Sequence, residues 1–195
     1  MAHSRVERWL AVLRTAGIKY WLAWALASFA LVRARLGEGD EAMNRLREGK
    51  EFLEEGAARG NLRHLAVVSD VLGRVCLLLG LTEDAQRFAE RAMDLSRRPQ
   101  LAPRLSLLLA DIASHSDRFD PERSETWYRK AMAVAEAQEQ WPVLAHCHIG
   151  LSRLFSHIGK RQEAKEHSTI AATMYRDMDM RFWLEETEAL MRETS

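Results

Sequence analysis

Leu79-Gly80 ends one apolar segment of the sequence, and Ala85 and Ala92 follow the glycine at distances of 5 and 12 residues. Glycine commonly ends helices because it adopts the left-handed conformation without steric cost. Small residues two turns apart let the next helix lie close to the one before it. The same spacing occurs twice more, as Leu36-Gly37 with Ala42 and Gly49, and as Ile158-Gly159 with Ala164 and Ala171. This recurrence predicts a hairpin of two antiparallel helices as the unit of the fold.

Apolar residues recur at helical spacing along almost the whole chain, and no sustained alternation of apolar and polar residues predicts a strand. Breaks at glycine, proline and polar residues divide the chain into ten segments, which we assign as two terminal helices over 4–16 and 180–193 and four hairpins at about 19–59, 62–98, 101–139 and 142–178. The third hairpin matches least well, because Ser124, Tyr128 and Ala131 follow a longer turn. With no long linker, the sequence predicts one all-α domain over 1–195.

The composition narrows the function classes. The chain has 195 residues, of which 47% are hydrophobic and 29% charged, so it is expected to fold in solution rather than to be disordered. Lysine and arginine balance aspartate and glutamate at 28 each, which argues against a broad electrostatic hold on nucleic acid or on an anionic membrane. The apolar stretch 21–32 is shorter than the roughly 20 residues that span a bilayer. A cytoplasmic location is therefore expected.

The matched small residues resemble the tetratricopeptide repeat, whose signature is small residues at the eighth, twentieth and twenty-seventh positions of a helical hairpin. The resemblance covers about residues 20–178. It implies a right-handed α-solenoid of about four such hairpins, with a leading and a capping helix. The marker glycines are 43 residues apart over one unit and 79 apart over two, both longer than the standard period of about 34 per unit. The aromatic residue at the fourth position and the late proline of the consensus are also missing. Pairs of the HEAT type, with longer periods, are the alternative fold.

Longer units of this kind are typical of the C-terminal helical arrays of large bacterial signalling proteins that carry a cyclase or ATPase domain. Two stretches, 158–164 and 174–185, resemble the end of such arrays. Because the sequence contains no cyclase or ATPase segment, the resemblance implies at most the sensor or scaffold portion of such a protein. It also implies a bacterial, cytoplasmic setting in signalling.

Catalytic and metal-binding patterns are weak. His146-Cys147-His148 contains good zinc ligands, with His157 further along. Adjacent helical residues diverge, however, and the two flanking histidines lie about 200° apart around a helix. Cys147 and Cys76 both fit apolar helix positions as small core residues, beside histidines expected at the surface. No glycine-rich phosphate loop or nucleophile motif is present. We therefore expect no enzyme activity, no metal and no cofactor.

Binding on a concave face is the predicted function, because stacked helix hairpins line such a face with their first helices. Counting from each turn places Leu31 there together with the predicted partner-binding residues Trp24, Arg35, Asp70, Arg74, Arg104, Asp111, His115, His146, Arg153 and His157. Arginines outnumber acids four to two in that set, which favours a protein or peptide partner with acidic groups. The alternatives are a small-molecule sensor, and a solvated face with local ion pairs such as Asp70 with Arg74.

The six tryptophans are mostly expected to pack between helices, although a few could mark a binding surface. Trp9 lies on the apolar stripe of the first helix, together with Leu10 and Leu13. We expect these apolar side chains to pack against either the second helix or another chain. A homodimer formed through this first helix is therefore a further hypothesis.

Overall fold

The computed structural model describes residues 2–58, 65–96 and 99–193. Within those ranges the secondary structure is helical and contains no strand, so the prediction of an all-α fold is confirmed. The α-helices there are α1 (Ala2–Thr15), α2 (Lys19–Arg35), α3 (Gly39–Ala58), α4 (Leu65–Leu78), α5 (Thr82–Leu95), α6 (Ala102–Ala113), α7 (Pro121–Ala137), α8 (Trp141–His157), α9 (Arg161–Asp177) and α10 (Arg181–Glu193). The hairpin ends predicted at 59, 62 and 98 lie outside the described residues.

The chain divides into two compact units, Met1–Arg97 and Arg98–Ser195, and each is described by itself. Unit 1 contains α1 to α5, and unit 2 contains α6 to α10. The expectations of one continuous domain and of a right-handed solenoid stay predictions.

Each unit consists of two packed helix pairs and one additional helix. In unit 1, α2 packs along α3 and α4 packs along α5, while α4 also contacts both helices of the first pair. Unit 2 repeats this arrangement with the pairs α6–α7 and α8–α9, and α8 contacts both α6 and α7. The additional helices lie at opposite ends of the sequence, with α1 on α2 and α10 on α9.

Small residues lie where the paired helices approach each other. The six that carry the sequence pattern are all buried: Ala42, Gly49, Ala85, Ala92, Ala164 and Ala171. In the weaker pair, Ser124 and Ala131 are completely buried as well. A Cβ on Gly49 would lie 3.5 Å from Leu72 and 3.6 Å from Leu26, so this position faces both α2 and α4. The spacing found in the sequence therefore marks close helix contacts.

Six inter-helix turns share one geometry, with a single residue of positive φ after the helix. At the α4–α5 turn this residue is Gly80, with φ +72°. Leu81 then donates its N–H to the carbonyl of Cys76 and accepts from the N–H of Ala85, so it ends one helix and begins the next. The other positive-φ residues are Gly17, Gly37, Glu139, Gly159 and Asp179. This turn explains how consecutive helices reverse direction with so few residues between them.

The apolar stretch 21–32 lies inside α2, which has 17 residues. Among the helices described, none combines the length and the apolar character that crossing a membrane needs.

Candidate functional site

The ten residues predicted to bind a partner lie on α2, α4, α6 and α8 or directly after α6. Taken unit by unit, these residues fall into two groups. The α2–α4 surface of unit 1 comprises Trp24, Leu31, Arg35 and Arg74. The α6–α8 surface of unit 2 comprises Arg104, Asp111, His115, Arg153 and His157. Asp70 and His146 belong to neither surface, because both side chains contact other residues inside their own unit.

The α2–α4 surface combines apolar and basic side chains. Trp24 and Leu31 are half-buried and lie seven residues apart, on one face of α2, and the exposed Arg35 continues that face one turn later. Trp21, which is 48% exposed, meets the ring of Trp24 edge to face at a centroid distance of 5.9 Å. The residues of this surface include aromatic and guanidinium side chains, the two types most enriched at binding hot spots.

The sequence predicted Asp70 on the surface, but the structure buries it. Its side chain is completely buried, and its Oδ1 accepts a hydrogen bond of 3.1 Å from Nε of Arg74, one turn later on α4. The Arg74 side chain is 18% exposed, so it reaches from the buried carboxylate to the surface. Burying an aspartate is costly unless its charge is compensated. Asp70 is therefore not exposed itself, but its hydrogen bond fixes the direction of the Arg74 side chain.

A buried polar network links Asp111 of the α6–α8 surface to side chains of α7. Tyr128 is 2% exposed, and its hydroxyl donates a 2.7 Å hydrogen bond to Oδ1 of Asp111. Burial, and then the Asp111 charge, raise the pKa of Tyr128 well above its ordinary value, so the phenol stays a donor. The network continues through Ser114 to Ser124, which donates to the carbonyl of Ala110. Asp111 is thus held in one orientation at the edge of α6.

The Tyr128 ring occupies space that Gly150 of α8 leaves open. A Cβ on Gly150 would lie 2.4 to 2.6 Å from the Cε1, Cζ and hydroxyl atoms of that ring. No side chain larger than hydrogen fits there while the ring stays in place. The pairing of a large residue on α7 with a glycine on α8 is a close contact that the small-residue pattern of the sequence did not single out.

The remaining members of the α6–α8 surface are of mixed character. Arg153 and His157 are exposed, and the His157 ring lies against Phe119 with a centroid distance of 4.5 Å. Nδ1 of His115 is 3.6 Å from a carboxylate oxygen of Asp117. Arg104 is half-buried. Since carboxylates, histidines and arginines all occur here, this surface is less uniformly basic than the α2–α4 surface.

His146 belongs to the packing of α8 against α9 and α10. Its Nδ1 lies 2.6 Å from the hydroxyl of Tyr175, and its ring lies 4.5 Å from that of Trp183. Tyr175 is completely buried, and Trp183 is half-buried. The His146 imidazole therefore contacts other side chains of unit 2 and does not belong to the α6–α8 surface.

His148 corrects another expectation, since it is 9% exposed rather than a surface residue. Its Nδ1 lies 2.8 Å from Nδ1 of His167 on α9. His148 lies 11 residues before Gly159 and His167 lies 8 residues after it, and the turn between α8 and α9 brings them together. That hairpin register is the signal by which the pair could have been found.

Neither cysteine is placed for catalysis. Cys147 and Cys76 are both completely buried, as the sequence predicted. Burial, with a smaller effect of Asp84, raises the pKa of the Cys76 thiol to about 12, so it remains protonated near neutral pH. Within residues 2–58, 65–96 and 99–193, no three histidine, cysteine, aspartate or glutamate side chains converge as a metal site would require.

Comparison with known proteins adds no relative. No protein-family model matches the chain, and no curated protein matches it either.

Proposed function

We propose that the chain is a protein-interaction module that binds an acidic protein or peptide segment on its α2–α4 surface. Its architecture would be a right-handed solenoid of tetratricopeptide-like hairpins, as the resemblance in sequence implies. On the same resemblance we propose a cytoplasmic, bacterial setting, in which the chain is a scaffold or regulatory part of a signalling protein. Binding rather than catalysis is proposed because neither surface combines an activated nucleophile with a base.

The Asp70–Arg74 ion pair is the observation that carries this proposal. A guanidinium that is already oriented loses less side-chain entropy when it binds a carboxylate. Arginine holds a carboxylate with two parallel hydrogen bonds, in a forked geometry that lysine cannot reproduce. A buried carboxylate is an expensive way to stabilise a fold, because replacing such pairs by apolar residues is often neutral or stabilising. Its cost is understandable if the arginine that it positions has a function.

Neighbouring side chains suggest the rest of the ligand. Trp24, Trp21 and Leu31 supply apolar area on α2, the helix that carries Arg35, and Leu78, one turn after Arg74 on α4, is 46% exposed. Burial of such apolar area under a peptide favours binding by about 25 cal/mol for each Å² removed from water. The preferred segment therefore contains aliphatic or aromatic residues close to aspartate, glutamate or a chain terminus.

A phage-displayed library of random peptides tests the proposal directly. We expect the whole chain to enrich sequences that contain acidic residues beside apolar ones. An enriched peptide, synthesised with a fluorescent label, should bind at least tenfold more weakly to Arg35→Glu and to Arg74→Lys than to the unchanged protein. The lysine variant keeps the charge of Arg74 but loses its forked geometry.

Arg47→Glu is the matched control, because Arg47 is an exposed arginine of unit 1 on α3, outside the surface. It changes the net charge by the same amount as Arg35→Glu and should leave affinity within about twofold at physiological salt, where the Debye length is about 8 Å. Enrichment of peptides without acidic residues, or equal losses in the Arg35→Glu and Arg47→Glu proteins, would contradict the proposal.

A further inference from the structure

The contact between His148 and His167 joins α8 to α9 through two imidazole rings. Their Nδ1 atoms are 2.8 Å apart and the ring centroids 5.0 Å apart. A hydrogen bond at this distance requires one Nδ1 to carry a proton and the other to carry a lone pair. The pair is therefore satisfied only while at least the accepting ring is neutral.

The surroundings of the pair also favour the neutral rings. His148 is 9% exposed, and the ring of Phe155 lies 5.5 Å from that of His167. Burial, and then His167, lower the pKa of His148 to about 4. For His167, burial and then Arg129 of α7 lower the pKa, while Glu166 of α9 and Glu125 of α7 act in the opposite direction.

The charged groups around the pair largely compensate each other. Glu125 and Arg129 form an ion pair of 2.6 Å on α7, and Glu166 accepts a hydrogen bond from Gln162 on α9. An incoming proton on the pair therefore has no carboxylate that is dedicated to it.

We propose that the His148–His167 pair is a pH-sensitive contact that holds α8 against α9 near neutral pH and releases it when the accepting imidazole binds a proton. The first proton can enter at Nε2 of the donating ring, where it leaves the hydrogen bond intact. A proton on the accepting Nδ1 removes the only lone pair in the bond and sets two N–H groups against each other. The two rings thus titrate as a coupled pair, and the second proton opens the contact.

The direction of the effect follows from the lowered pKa values. Above about pH 6.5, the usual histidine pKa, the rings are neutral in both the folded and the unfolded chain, so the contact contributes its full stability. As the pH falls from there toward about 4, the unfolded chain binds protons that the folded pair resists. The equilibrium constant for unfolding then rises by up to about tenfold per pH unit for each histidine.

An NMR titration of the imidazole nitrogens in the unchanged, full-length protein tests the geometry without any substitution. We expect the Nδ1 signals of His148 and His167 to differ at pH 7.5, one protonated and one not, and to titrate below the usual histidine pKa of about 6.5. Hydrogen exchange at α8 and α9 should accelerate more between pH 7 and 5 than exchange at α6, after correction for the intrinsic pH dependence. Titration of His148 near pH 6.5 would overturn the proposal.

The double variant His148→Asn with His167→Asn supplies the second arm. Each amide approximates the position of Nδ1, makes a hydrogen bond and does not titrate, so the variant should lose the excess acceleration at α8 and α9. His157→Asn, which removes an exposed imidazole from the same helix, should retain it. If the double variant keeps the full pH dependence, the histidine pair is not its source and the proposal fails.

Discussion

Asp70 is completely buried on α4 and accepts a hydrogen bond of 3.1 Å from Nε of Arg74, one helical turn later. Surface pairs at this spacing contribute little, because water screens the charges and both side chains lose rotamer freedom. Here one partner lies in the interior, where the loss of the opposite charge is expensive. The pair therefore links the interior of unit 1 to the arginine that the proposed peptide site requires.

Removal of Arg74 should destabilise the protein. Arg74→Gln takes away the cation that faces the buried Asp70 carboxylate, and we expect the free energy of unfolding in urea to fall by about 3 kcal/mol. Arg87→Gln is the control, because Arg87 is paired with Asp84 on α5 and its side chain is 72% exposed. That substitution should cost less than about 0.5 kcal/mol. Equal losses in both variants would show that Asp70 does not depend on Arg74.

Two buried helical glycines should respond oppositely to alanine. Gly150→Ala places a Cβ within 2.4 Å of the buried Tyr128 ring, so we expect a loss of about 2–3 kcal/mol. Gly49→Ala brings its Cβ only to ordinary contact at 3.5 Å from Leu72, and alanine favours helix over glycine, so a gain of up to about 1 kcal/mol is expected. Urea unfolding of the two variants measures both. A destabilised Gly49→Ala protein together with an unchanged Gly150→Ala protein would contradict these packing contacts.

The shared turn geometry predicts a stabilising substitution. Glu139 has a φ of +55°, a conformation that costs residues other than glycine about 1 kcal/mol, so Glu139→Gly should raise the free energy of unfolding by about that amount. Gly80→Ala, at the positive-φ position of the α4–α5 turn, should lower it by about as much.

Gly39→Ala is the control for these turn variants, since Gly39 has no positive φ and no atom within 4 Å of an added Cβ. It should not be destabilised, because alanine is the better helix former. A stability of Glu139→Gly below that of the unchanged protein would mean that this turn differs from the glycine turns.

Much of the fold follows from the sequence, because close helix packing requires small residues at fixed places. Ala85 and Ala92 revealed a hairpin for that reason, and both are buried. Glu139 and Asp179 adopt the same turn as the glycines, although neither residue type predicts a left-handed conformation as strongly as glycine does. Sequence breaks indicated those boundaries, but the shared geometry became apparent only from the backbone.

The candidate site was less predictable, because helix periodicity gives the angle of a side chain but not its depth. Asp70 lies on the predicted face of α4, yet it is covered there. His148 shows the same error, since a histidine assigned to the surface lies between two helices. The contact of His148 with His167 depends on the register across the α8–α9 turn, which helix periodicity alone does not give.

Adjacent aromatic residues on α10 provide a test of how that helix packs. Trp183 is half-buried between His146 and Tyr175, so Trp183→Ala should cost about 2 kcal/mol, somewhat less than for a fully buried tryptophan. Phe182 is 55% exposed, and Phe182→Ala should change stability by less than about 0.5 kcal/mol. Unfolding monitored by circular dichroism compares them. A larger loss for Phe182→Ala would contradict the described orientation of α10.

The proposed interaction is tested most directly by mapping where a selected acidic peptide binds. Two-dimensional NMR of the labelled, full-length protein, titrated with the enriched peptide, reports on the indole N–H of Trp24 and on Nε–H of Arg74 separately. We predict saturable shifts of both signals, together with backbone amides of α2 and α4, at the same affinity that fluorescence measures. Saturable shifts confined to other helices, with the Trp24 and Arg74 signals unmoved, would contradict binding at the α2–α4 surface.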